Sequence, residues 1–133
     1  SMQGAMAFQK GLGAVHSLSH SLGGVNPKLH HGTLNAMFLP AVVAFNAEAE
    51  SMQKDRRLAR MAHAMGLGSQ GDISAAIKDM NARLGLPTGL AAIGVQREWF
   101  DKGITGAMAD HCHKTNPRVA TPEEYRALLE ASM

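Results

Sequence analysis

Apolar residues recur along this chain at intervals of three and four, and no stretch alternates cleanly between apolar and polar positions. That periodicity predicts helices and almost no strand. Residues 2–22 read as a first helix despite several glycines, ended by Gly23–Gly24, with Asn26-Pro27 in a loop over Val25–Leu29. Residues 32–47, GTLNAMFLPAVVAFNA, form a second helix that is apolar on most sides and therefore central. Pro40 should bend it, because proline removes one backbone donor and crowds the preceding turn.

A third helix covers about 51–65, with Met52, Leu58, Met61, Ala62 and Met65 inward, and stops at Gly66-Leu67-Gly68. Asp72 is the expected N-cap of a fourth, which runs to about Leu84, with Gly85 as its left-handed stop and Pro87 beyond. Thr88–Val95 is an irregular connection with a short helical turn at Gly89–Ile93, and a fifth helix spans 96–112. Thr121-Pro122-Glu123-Glu124 announces the last helix: a capping hydroxyl, a first-turn proline and a glutamate three residues on. The expected fold is all-α, a compact domain of about six or seven helices.

At 133 residues the chain is one domain, 1–133, long enough to bury a core. Its 45% apolar and 18% charged residues exclude disorder. The net charge of +2 and the absence of a basic block interleaved with aromatics argue against a nucleic-acid partner. The one short basic cluster, Lys54-Asp55-Arg56-Arg57 with Arg60, reads as a solvated helix face. No stretch approaches the roughly 20 apolar residues that span a bilayer, and no signal peptide is evident, so no membrane association is expected. A single cysteine, Cys112, forbids an internal disulfide and fits a cytoplasmic location. In Asp110-His111-Cys112-His113, neighbours on a helix point in different directions and cannot easily share one ion. Cys112 is then a small buried residue, and His111 and His113 face solvent. Met37, Met52, Met61, Met65, Met80 and Met108 read as flexible core filling.

The chemistry concentrates in one run, where His16, His20, His30 and His31 stand among glycines at 11, 13, 23, 24 and 32. On a helix, His16 and His20 share one face, one turn apart. A chain that folds back at Gly23–Gly24 would return His30 and His31 towards them. Converging neutral imidazoles suit zinc or iron. The competing reading is that paired histidines at helical spacing are surface or packing residues, since such a pair alone is a weak signal.

GLGAVHSLSHSLGG, HHGTLNAMFLP, ARLGLPTGL and CHKTNPRVATPEEY together resemble the helical half of the iron-containing (group III) alcohol dehydrogenases, over essentially the whole chain. The resemblance implies that His16 and His31 are metal ligands and that His20 is a catalytic residue beside the reacting carbonyl. It also implies iron(II) or zinc and NAD(P) as cofactors, and a small alcohol or aldehyde as substrate. The His16–His31 spacing is one residue longer than the family's common one, and His30 would restore it; the Gly-Thr-Leu-Asn-Ala that follows His31 favours His31.

Family members resemble one another in having an N-terminal dinucleotide-binding domain that supplies an aspartate and a further histidine to the metal. These 133 residues contain neither a glycine-rich strand–loop–helix unit nor an Asp-x-x-x-His sequence. The expectation is therefore a C-terminal piece of an oxidoreductase, with no carboxylate donor of its own and inactive alone. Ser1-Met2 reads equally as a cloning remnant or as native helix sequence. Apolar surface exposed by a missing domain would favour a homo-oligomer. Two alternatives are a stand-alone histidine-based metal binder and a helical interaction module.

Overall fold

A computed structural model describes residues 2–68 and 71–133, and Ser1 lies outside them. Among the described residues there are eight α-helices and no strand, as the periodicity predicts. They are α1 (Met2–Phe8), α2 (Ala14–Val25), α3 (His31–Asn46), α4 (Glu50–Gln53), α5 (Arg57–Ala64), α6 (Ile73–Arg83), α7 (Phe100–Ala109) and α8 (Pro122–Ala131). Short 3-10 turns lie at Lys54–Arg56, Leu90–Ile93, Arg97–Trp99 and His113–Thr115.

The expected first helix is two. Gly11 and Gly13 have φ of 98° and 76°, which a helix cannot accommodate, so the chain breaks between α1 and α2. Gly23–Gly24, expected to end this helix, lie inside α2. The stop comes at Asn26, whose amide still donates to the Leu22 carbonyl at 2.9 Å before Pro27 prevents continuation. The expected third helix also divides, at Arg56, the one described non-glycine residue with positive φ.

Both caps expected from sequence form. The Asp72 side chain accepts from Ala75 N at 3.0 Å, and Thr121 and Glu124 make a reciprocal capping box. Gly85 follows α6 in the left-handed region at φ 70°.

The main core lies where α2, α3, α7 and α8 meet. Leu18 and Leu22 from α2, Leu34 and Phe38 from α3, Phe100 and Ala107 from α7, and Tyr125 and Leu129 from α8 are all buried in it. Small residues bring α2 and α7 close. A Cβ at Gly106 would run into Ser21, and Ser21 Oγ donates to the Gly103 carbonyl at 2.6 Å. A smaller cluster, Ala62, Ile73 and Ile77, sits under α5 and α6. Met61 and Met65, expected inward, are exposed, as is Met80; only one apolar face of α5 has a neighbour.

Pro40 stays within α3. Lacking an N–H, it leaves the Ala36 carbonyl one turn back without its helical donor. Asn81 of α6 replaces that donor, with Nδ2 at 2.8 Å from Ala36 O, while Ser74 Oγ donates to Pro40 O at 2.8 Å. The proline defect thus becomes the seam that joins α6 to α3. No helix among the described residues is long and apolar enough to cross a membrane.

Candidate metal centre

α2 and α3 present three imidazoles to one another. Ring centroids are 5.6 Å apart for His16–His20, 5.2 Å for His16–His31 and 5.2 Å for His20–His31. Two of the three come from one helix face because they are four residues apart. The third stands at the first turn of α3, brought back by the Asn26–His30 connection. His30 is not among them: its Nδ1 accepts from Thr33 N at 3.2 Å and so caps α3.

Hydrogen bonds orient the rings. Ser19 Oγ donates to the His16 carbonyl at 3.2 Å and stands 3.3 Å from His31 Nδ1, so it accepts the hydrogen on that nitrogen. His31 Nε2 then carries a bare lone pair. Asn35 Nδ2 lies 3.0 Å from His31 Nε2 and 3.2 Å from His16 Nε2. One amide group donating to both requires an open lone pair on each; these tautomers are assigned from the network. Asn35 Oδ1 is buried with no partner. Two ring nitrogens therefore aim at one positively polarised group, beside an oxygen with no donor. Such a donor set fits a borderline divalent ion such as zinc or iron(II).

At His16, electrostatics favour the neutral imidazole that a metal requires. Burial lowers the His16 pKa, reinforced by the neighbouring His31 and His20 and opposed by Asp110. Beyond His20, its Nδ1 sits 3.0 Å from Asp110 Oδ2. Burial alone would raise the Asp110 carboxyl. Hydrogen bonds from the Cys112 amide and from His20 outweigh it, and the net direction is down.

Four sequence expectations need correction here. Helix α7 ends at Ala109, short of the expected 112, because Asp110 turns extended and its Oδ1 takes the Cys112 amide at 2.8 Å. Residues 110–112 consequently lie in a turn, and Asp110 and Cys112 do approach a common point. With His20 they offer ligand atoms all within 4.8 Å of one another. The chain thus brings a carboxylate to the cluster, although none was expected. His111 is exposed, as anticipated, but His113 is buried and its Nδ1 lies 3.0 Å from Tyr125 Oη. Cys112 is buried as expected.

The histidine spacing could reveal His16 and His20 but not Asn35 or Asp110. Asn35 is four residues beyond His31, one helical turn, and belongs to the Gly-Thr-Leu-Asn-Ala run of the resemblance, but neither signal assigned it a contact. For Asp110, the only signal was the tendency of an Asp side chain to capture an amide two residues on.

Residues 1–133 match the family model described as "Fe-containing alcohol dehydrogenase family, C-terminal". A 4-hydroxybutyrate dehydrogenase of Cupriavidus necator is 58% identical across 100% of this chain and 36% of its own length. An NAD-dependent methanol dehydrogenase of Bacillus methanolicus is 35% identical over 99% of this chain and 35% of its own length. The crystal structure of a 1,3-propanediol oxidoreductase superposes with a TM-score of 0.81 at 29% identity, covering 92% of this chain and 33% of that one. An iron-containing alcohol dehydrogenase from Thermococcus thioreducens gives 0.75 at 31% identity, covering 91% and 32%. The chain spans about a third of the length of these relatives. The match to the family model and the shared helical architecture agree: this chain belongs to the Fe-containing alcohol dehydrogenase family, and corresponds to its C-terminal helical part.

Proposed function

We propose that this chain is the metal-binding part of an NAD(P)-dependent alcohol dehydrogenase acting on a small alcohol or aldehyde. His16 and His31 would hold a divalent iron or zinc through Nε2. His20 would stand beside the reacting oxygen. The observation that carries this reading is the approach of the three rings within 5.6 Å, with two Nε2 lone pairs turned to one point.

When bound, the metal polarises the alcohol oxygen and the nicotinamide takes up hydride. The chain's own residues prepare for this. Ser19 fixes the His31 tautomer by accepting from Nδ1. Burial keeps His16 neutral. Asp110 holds the hydrogen on His20 Nδ1, which leaves Nε2 to receive the hydroxyl proton during oxidation and return it during reduction. An imidazole suits that task because it changes charge near neutral pH. Dinucleotide binding and the remaining metal ligands are assigned to residues outside this sequence, in keeping with the third of the relatives' length that it covers. The relatives' names, for 4-hydroxybutyrate, methanol and 1-propanol, support the substrate class.

Anaerobic titration with ferrous ion tests the assignment. Replacing both His16 and His31 with alanine should weaken binding by more than about tenfold; unchanged affinity removes them as ligands. The 133-residue chain mixed with alcohol, NAD(P) and metal should give no reduced nicotinamide. Turnover by pure protein would contradict the division of labour proposed here.

A further inference from the structure

We propose a second metal site, adjoining the first at His20, in which His20 Nδ1, an Asp110 carboxylate oxygen and Cys112 Sγ bind a thiophilic divalent ion of the zinc class. The three ligand atoms already lie within 4.8 Å of one another. Cys112 Sγ is 3.3 Å from His111 Nε2, and the His111 ring stacks on His20 with centroids 6.0 Å apart. An exposed imidazole is therefore at hand as a fourth donor, completing an N2OS set that suits tetrahedral zinc or cobalt(II) better than iron.

The site is built by the end of α7. Asp110 leaves the helix in an extended conformation, and its Oδ1 accepts from Cys112 N, so the turn closes with carboxylate and thiol on one side. Asp110 Oδ2 is held against His20 at 3.0 Å. Without an ion the thiol is protonated, its pKa pushed up to about 11 by burial and then by Asp110. Only the thiolate binds such an ion well, so the metal must displace the Cys112 proton. An ion here draws His20 away from proton transfer. That consequence rests on the function proposed above, whereas the site itself does not.

Cobalt(II) titration of the chain provides the test, because a thiolate bound to cobalt gives near-ultraviolet charge-transfer absorption that imidazole and carboxylate ligands do not. Wild type should show this band. Cys112→Ser should lose the band, and Asp110→Asn should weaken cobalt binding at least tenfold, both with unchanged helical circular dichroism. The His16→Ala/His31→Ala variant should keep the band, even though it loses ferrous ion. No band in wild type, or loss of the band in the His16/His31 variant, would overturn a separate thiolate site.

Discussion

The layer built from α2, α3, α7 and α8 and the layer built from α4, α5 and α6 solve the same problem differently. In the first, Leu18, Phe38, Phe100 and Tyr125 are fully or almost fully buried, and glycines on α7 admit α2 at short range. In the second, among the described residues, only Ala62, Ile73 and Ile77 form a buried apolar cluster, and Met61, Met65 and Met80 remain open to solvent. Every imidazole of the candidate centre stands on the first layer. The lesson is that the converging imidazoles sit beside the larger core, since rings held in fixed mutual positions need neighbours that cannot move.

Mutations can break this contrast. The largest effect is expected at Phe38→Ala, a loss of about 3–5 kcal/mol in chemical denaturation, because the cavity lies among fixed helices. Ile77→Ala should fall near the low end of the roughly 2–5 kcal/mol range for such truncations, since its cluster can collapse. Equal losses at the two sites would erase the distinction. Gly106→Val comes next, at about 1–3 kcal/mol from overpacking against Ser21. It should also weaken metal binding by displacing neighbouring His20, as metal titration would show. Asn81→Leu leaves the Ala36 carbonyl without a donor and should cost about 1–3 kcal/mol.

A pH effect belongs to the first layer. The His16 pKa is lowered on folding, so between the ordinary histidine value and the lowered one the unfolded chain binds more protons. Stability therefore falls as pH drops through that window and then levels off. Replacing His16 with glutamine should flatten the slope of stability against pH there. The smallest effect is Met61→Ser on the open face of α5, within about 0.5 kcal/mol by thermal unfolding.

Much of the architecture was legible because local chemistry and tertiary packing agree. Asp72, Gly85 and Thr121-Pro122 mark helix ends by side-chain or backbone requirements that hold in any context. Gly23–Gly24 misleads because a glycine costs only about 1 kcal/mol in a helix, which packing of Leu18 and Leu22 overrides. The inward assignment of Met61 and Met65 fails for a different reason: periodicity reports which residues share a face, not whether anything covers it. Within the candidate site, His16 and His20 follow from spacing. The preference for His31 over His30 came only from the Gly-Thr-Leu-Asn-Ala run; the capping role of His30 at the start of α3 was not legible. Asp110 and His113 escaped because their positions depend on where α7 stops, and that depends on one side chain capturing one amide.

The bond from Asn81 to Ala36 links two positions that neither spacing nor composition connects. Ala36 directly follows Asn35, the residue whose amide touches both His16 and His31. Restoring an N–H with Pro40→Ala would let α3 satisfy that carbonyl itself and leave Asn81 competing for it. The two residues should therefore behave as one inheritable unit: either change alone disturbs the turn that bears Asn35, while Pro40→Ala combined with an apolar residue at 81 should be milder than the two single costs added.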